Sequence, residues 1–181
     1  GRISAEMLES GKQKERFNRI FLRMESLINE FAMVEEISTG FSHAQSKEYR
    51  LIDLIDGAID LAMVEEENVS QDVDATLRVM ADFNLFSTAI KNMVDNAMKY
   101  SPDRHVDIST HEGEIWFESR GERLKHTLSY YVQPFTKDEN SRDSFGLGLY
   151  LVDAILHAHD MVLAYEYIEG VTRFIFEPIK K

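Results

Sequence analysis

The sequence predicts an α+β fold: a two-layer α/β sandwich with helices on one face of a mixed sheet, preceded by a long helix of a helical bundle. Three observations predict it. Strand-like segments come in hairpin pairs rather than in strict βαβ alternation. Helical segments with one apolar side stand between those pairs. A longer apolar stripe with spacings of three and four precedes them all.

The long helix is expected over Lys12–Ile37, with Phe17, Ile20, Phe21, Met24, Leu27, Ile28, Phe31 and Val34 on one stripe. Ile3, Met7 and Leu8 read as the end of an earlier helix, separated from it by a turn at Ser10-Gly11. Such a stripe fits a core helix of the same domain or a seam between helices. The seam is preferred, because the helix precedes a separate folding unit and has no obvious partner within it. Ser38–Lys47, rich in Ser, Gly, Gln and His, reads as a linker.

The compact unit then begins. An amphipathic helix is expected over Asp53–Val64, ended by Glu65-Glu66-Glu67, and short strands over Val69–Val73 and Thr76–Met80. Asp82 suits the N-cap of a helix reaching Tyr100, and Ser101-Pro102 stops it. Val106–Thr110 and Glu114–Glu118 read as a hairpin around Glu112-Gly113. Ser119–Phe145 reads as irregular. A helix follows over Leu147–His159, then a last hairpin of Val162–Tyr167 and Thr172–Phe176 through Glu169-Gly170.

Composition narrows the function. The chain has 181 residues, and 32 acidic against 20 basic side chains give a net charge of −12. A surface that acidic repels phosphate backbones, so nucleic acid is a poor partner. With no cysteine, disulfides, thiolate zinc sites and thiol nucleophiles are excluded. No apolar run approaches the roughly 20 residues a membrane span needs, so any membrane contact is expected through parts absent from this chain.

Two segments carry chemistry. On the helix Asp82–Tyr100, Phe86, Ile90, Met93 and Ala97 form a core stripe, and Asn92, Asn96 and Lys99 follow the same spacing beside it. Carboxamide oxygens suit a hard cation such as Mg2+, and an ammonium suits phosphate. The same residues also suit a solvated helix edge. In Ser144-Phe145-Gly146-Leu147-Gly148-Leu149, glycines before a helix let backbone approach an anion, although a simple loop-to-helix turn has the same form.

In order along the chain, the segments become specific. Ile90-Lys91-Asn92-Met93-Val94-Asp95-Asn96-Ala97-Met98-Lys99-Tyr100-Ser101 resembles the N box of sensor histidine kinases of two-component systems. Pro134-Phe135-Thr136-Lys137 resembles their F box, and Gly146-Leu147-Gly148-Leu149-Tyr150-Leu151-Val152 their second glycine box. The resemblance covers about residues 47–177. It implies the Bergerat ATP-binding fold that these kinases share with gyrase, Hsp90 and MutL. The first helix then resembles the second helix of the dimerisation and histidine-phosphotransfer hairpin.

The resemblance implies ATP and Mg2+ as ligands. Asn96 matches the Mg2+-binding Asn, and Asn92 is the other polar position of the box. Lys99 and Tyr100 match residues lining the phosphates and the nucleotide. Gly146, Leu147, Gly148 and Leu149 match the glycine box beside the phosphates. Lys137–Phe145 corresponds to the ATP lid, with Lys137 and Arg142 as candidate phosphate contacts. Hydrolysing relatives carry a Glu four residues before the metal-binding Asn. Asn92 stands there, and an amide is no general base. Phosphoryl transfer to a protein is therefore implied, rather than efficient hydrolysis.

Two features depart from the family. In the first glycine box, Gly121 matches the first glycine, Ser119 stands where the adenine-reading Asp would be, and Arg123 replaces the second glycine. Glu118 would substitute for that Asp only by a register shift, which strand alternation opposes. No His stands in an H-box context, so the phospho-accepting histidine is expected upstream of Gly1.

The expected organisation is a partial dimerisation hairpin over 1–40, a linker over 41–47 and the catalytic ATP-binding domain over 48–181. The expected setting is the cytoplasmic portion of an inner-membrane sensor, a homodimer through its N-terminal helices, working with a response regulator. Ser119 and Arg123 also suit a scaffold with a degenerate nucleotide site. A serine-directed kinase of the anti-sigma type is a third reading, opposed by the long helix.

Overall fold

The computed structural model describes residues 2–39, 46–136 and 146–179, with backbone alone for 2–12, 23 and 38. Its first element, α1 (Arg2–Ser38), is one unbroken helix. The turn expected at Ser10-Gly11 is absent. Glycine inside a helix costs only about 1 kcal/mol relative to Ala, and the helix-forming sequence on both sides carries the backbone through.

The stripe on α1 divides along its length. Phe17, Phe21 and Ile28 are 75%, 73% and 64% exposed, whereas Met33, Val34 and Ile37 pack against the domain core. Phe31 reaches Phe135, with ring centroids 6.0 Å apart. Glu30, half-buried in this region, has its carboxyl raised above the usual range by burial, opposed by the Ser26 hydroxyl and the Lys91 ammonium. The last turns of the helix thus serve as a core element, and the earlier turns leave their apolar side open.

The segment read as a linker ends sooner than expected. Lys47–Arg50 forms β1, antiparallel to β3 (Arg78–Ala81), with Lys47 opposite Ala81. The helix after β1, α2 (Leu51–Ala62), stops at Met63, whose left-handed backbone (φ 52°) breaks it before the acidic run. Glu66–Asn68 then make one 3-10 turn leading into β2 (Val69–Asp72).

Five strands form the main sheet: β2, β4 (Val106–His111), β5 (Glu114–Arg120), β6 (Met161–Ile168) and β7 (Val171–Pro178). Their spatial order is β2-β4-β5-β7-β6, with only the β2–β4 pair parallel. Both hairpins turn as expected. Glu112-Gly113 and Glu169-Gly170 have positive φ at both positions (50° and 89°, 48° and 88°), the twist-matched turn that Gly permits. Strand β5 runs two residues beyond expectation, so Ser119 and Arg120 sit within the ladder, opposite Thr172 and Val171. The stretch after it is not wholly irregular: Leu128–Tyr131 forms the short helix α4.

The helical layer is α3 (Phe83–Tyr100) and α5 (Gly148–Ala158) on the sheet, with α2 packed across α3. Phe86, Ile90, Met93 and Ala97 are buried, as the core stripe predicts, and the Phe86 ring meets Phe176 edge-on at 6.1 Å. The start of α3 is held twice. Asp82 accepts a hydrogen bond from Leu85 N–H at 3.1 Å, and its own N–H donates to His159 Nε2 at 3.1 Å. No helix among the described residues is long and apolar enough to cross a membrane.

Asp82 is 6% exposed, so its loss removes a sheltered cap. Asp82→Ala should destabilise the domain by about 1–2 kcal/mol, and Asp82→Asn by much less, measured by denaturant unfolding; equal losses would refute the capping role.

Candidate functional site

The site is built on the flank of α3. Its core stripe points down onto the sheet, so helical periodicity leaves Asn92, Asn96 and Lys99 along one shoulder of the helix. Asn92 donates from Nδ2 to the Thr88 carbonyl at 3.1 Å. That bond orients the amide and leaves Oδ1 as an acceptor. A Cβ placed on Gly148 would lie 3.6 Å from this oxygen, so the first residue of α5 faces Asn92 directly. One turn along, half-buried Asn96 has no hydrogen-bond partner among the described residues.

The start of α5 completes this end. Leu151 N–H is satisfied by the Leu147 carbonyl at 2.8 Å, so the N–H groups of Gly148, Leu149 and Tyr150 precede the first intrahelical bond. The Leu147 side chain is buried. Gly146 is held by a different constraint. Its φ is +71°, and a Cβ there would fall 2.3 Å from the Thr136 carbonyl oxygen. The two boundaries of the segment 137–145 therefore touch, and only glycine fits between them. Lys137 and Arg142, expected at the phosphates, lie outside the described residues.

The far end of the shoulder is different in character. Lys99 and Tyr100 are exposed, with Lys99 Nζ 5.1 Å from the centre of the Tyr100 ring. A Cβ on Gly121 would sit 3.5 Å from Thr172 and 3.9 Å from the Tyr100 carbonyl, in ordinary contact with both. Beside it, Ser119 Oγ and Thr172 Oγ1 are 3.1 Å apart, and Thr172 also donates to the Ser119 carbonyl at 3.1 Å. Nearby, the Ser101 hydroxyl holds the Asp103 carboxyl below its usual range. Eight residues of helix separate Asn92 from Tyr100, about 12 Å of rise. The α3 shoulder thus has an amide-and-helix-start end and a hydroxyl end.

Thr172 was not among the expected site residues. Its signal was the strand pairing: once β5 extends through Ser119, Thr172 is its partner across the ladder. The same extension excludes the register shift for Glu118. That carboxylate lies on the opposite face of β5 and receives Arg173 Nε and Nη2 at 2.9 and 2.8 Å. Arg123 is exposed. Lys91, inside the N-box segment, is engaged by Asp95 at 2.5 Å.

Residues 81–180 match the family described as histidine kinase-, DNA gyrase B- and HSP90-like ATPases. The chain belongs to this family. A curated relative, sensor histidine kinase ArsS of Helicobacter pylori, is 32% identical over 174 residues. The match covers 94% of this chain and 41% of that protein, so the chain spans about two fifths of its length. Among solved structures, histidine kinase AdeS of Acinetobacter baumannii has a TM-score of 0.71 at 17% identity, covering 93% of this chain and 84% of that one. The catalytic domain of histidine kinase ThkA has a TM-score of 0.62 at 21% identity, covering 74% and 97%. These structures share the fold: a five-stranded mixed sheet backed by helices. An ATPase domain of this family binds ATP, and the resemblance to histidine kinases carried by the three boxes is borne out.

The two box glycines should respond differently to a methyl group. Gly146→Ala meets backbone and a left-handed φ, and should cost at least about 1–2 kcal/mol. Gly148→Ala meets only ordinary contact, and should leave stability nearly unchanged while weakening nucleotide binding. Paired unfolding and titration experiments check both; a destabilised Gly148→Ala would contradict the geometry.

Proposed function

We propose that this chain is the ATP-binding catalytic region of a sensor histidine kinase, moving the γ-phosphoryl group of Mg-ATP to a histidine for relay to a response regulator. The observation that carries the reading is the shoulder of α3, where Asn92 presents its amide oxygen opposite the start of α5, half-buried Asn96 follows one turn along, and no carboxylate stands at position 92. The ArsS relative supports the kinase assignment.

The donor set fits the ligands. Asn96, half-buried and unpartnered among the described residues, is the residue we assign to Mg2+, with Asn92 Oδ1 beside it. Bound Mg2+ would offset phosphate charge. The N–H groups of Gly148, Leu149 and Tyr150 meet the phosphates, with Gly146 and Leu147 shaping the approach. Lys99 and Tyr100 line the phosphate-to-sugar path, Ser119 and Gly121 the base, and Lys137 and Arg142 are further phosphate contacts. In the transfer, a neutral imidazole nitrogen bonds to phosphorus as the bridging P–O bond to ADP breaks, and the ring then loses its proton. Asn92 accepts no proton from water, so water competes poorly. The chain's part is positioning and charge neutralisation.

We assign residues 1–40 to a dimerisation hairpin and, because Lys47 opens β1, end the linker at 46 and begin the catalytic domain at 47. The open stripe of α1 forms the homodimer seam, and the whole serves as the cytoplasmic portion of an inner-membrane sensor. A scaffold with a degenerate nucleotide site is the second reading, favoured by Ser119 and by exposed Arg123.

Incubation with γ-labelled Mg-ATP and a separate H-box helical hairpin should label that hairpin as acid-labile phosphohistidine. Asn96→Ala should lower the rate by about a hundredfold or more, the scale of losing one charge-stabilising contact. No labelling by a folded chain would count against the kinase, and no ATP binding at millimolar nucleotide would favour the scaffold. Phe21→Glu combined with Ile28→Glu, at positions 73% and 64% exposed in the single chain, should convert a dimer to a monomer without unfolding the domain. Unchanged sedimentation of a dimer would place the seam elsewhere.

A further inference from the structure

The hydroxyl end of the cleft has a consequence for the substrate. Two residues there face each other across the β5–β7 ladder, Ser119 and Thr172, and both reading groups are hydroxyls. Thr172 commits its proton to the Ser119 carbonyl at 3.1 Å. The Ser119 hydroxyl proton is then uncommitted. It points to Thr172 Oγ1 at 3.1 Å, or it rotates toward a ligand. The nearest carboxylate along the strand, Glu118, is turned to the other face and held there by Arg173 at 2.8 and 2.9 Å.

Adenine and guanine differ at the position such a group reads. Adenine offers an amino donor where guanine offers a carbonyl acceptor. A carboxylate accepts only, so it rewards adenine and repels guanine. A hydroxyl does either. Facing adenine, Ser119 donates to Thr172 and accepts from the amino group. Facing guanine, the same hydroxyl donates to the carbonyl, while Thr172 keeps its bond to the Ser119 carbonyl. At that position neither base leaves the Ser119 hydroxyl without a partner.

We infer that the Ser119–Thr172 hydroxyl pair makes this a purine nucleotide site with little preference between ATP and GTP. The inference rests on the nucleotide-site reading above, and it adds the substrate class that the site accepts. The position of the pair supports it. Ser119 shares the helix-side face of β5 with buried Ile115 and Phe117, and Gly121 beside it lies close to the Tyr100 carbonyl at the end of α3, 3.9 Å from where its Cβ would stand. That is the opposite end of the α3 shoulder from Gly148.

Titration of the chain with ATP and with GTP in Mg2+ tests this. The two affinities should agree within about tenfold, against the ~10^4–10^5 that a site built around one obligatory hydrogen bond achieves. Ser119→Asp should tighten ATP and weaken GTP, widening the ratio by at least about a hundredfold. Thr172→Val should weaken both nucleotides together. ATP binding with GTP more than tenfold weaker overturns the inference and leaves the kinase reading standing. A ratio unmoved by Ser119→Asp also overturns it, because the base is then read elsewhere or not at all. Binding of neither nucleotide overturns both readings.

Discussion

One helix carries two loads, and the rest of the molecule is arranged around that. Phe86, Ile90, Met93 and Ala97 drive α3 onto the sheet, each 5% exposed or less. Because α-helical geometry places 3.6 residues in a turn, that burial also fixes the azimuth of Asn92 and Asn96. The polar shoulder cannot rotate without lifting the core stripe from Phe176. The Asp82 cap and the His159 bond stop α3 from fraying at its start, and α2 holds it from above. Site precision here is a by-product of core packing, which is a stiffer support than any loop could give.

The second constraint is a backbone contact. Gly146 lies against the Thr136 carbonyl so closely that no side chain fits, and this joins the F-box turn to the start of α5. On that same turn Phe135, in a left-handed conformation (φ 64°), carries its ring against Phe31 of α1. The long helix is therefore in contact with the turn that abuts Gly146 at the approach to α5. Half-buried Glu30 on the same helix has its carboxyl raised by burial, with the Ser26 hydroxyl and then the Lys91 ammonium of α3 opposing that shift. A net charge of −12 does not describe this neighbourhood, where Lys91 and Lys99 border the cleft helix and amide N–H groups open α5.

Much of this was legible in the sequence, for identifiable reasons. Repeats of three and four wrote α3 and α5 plainly, and Glu-Gly pairs marked both hairpin turns. The boxes fixed the order of the site. What escaped was set by pairing across the chain rather than by local pattern. Lys47-Glu48-Tyr49-Arg50 has no strand alternation of its own, and becomes β1 because β3 supplies the ladder. Thr172 looked like an ordinary strand residue until its partner was known to be Ser119. The Ser10-Gly11 turn failed for the opposite reason: local turn residues lost to a long helix on either side of them. The stripe on α1 was legible as apolar, but its division into a docked end and an open end depends on where the domain sits.

Strand alternation decides which polar side chains reach the helix-side face of β5. Glu118 and Ser119 are neighbours in sequence, yet a two-residue period sends one to each face of the sheet. Moving Glu118 into the cleft would require a one-residue slip of β5, which would also drive Phe117 and Ile115 out of the core and Trp116 into it. Arg173 adds a second lock, since it bonds both Glu118 and Glu166 and stacks over Trp116 at 3.9 Å. The carboxylate is thus held off the helix-side face by the whole sheet, and this end of that face carries the two hydroxyls of Ser119 and Thr172. Position 119 can carry a different side chain with little demand on the core, because it is half-buried, one step from the end of the ladder and beyond the buried pair Ile115 and Phe117.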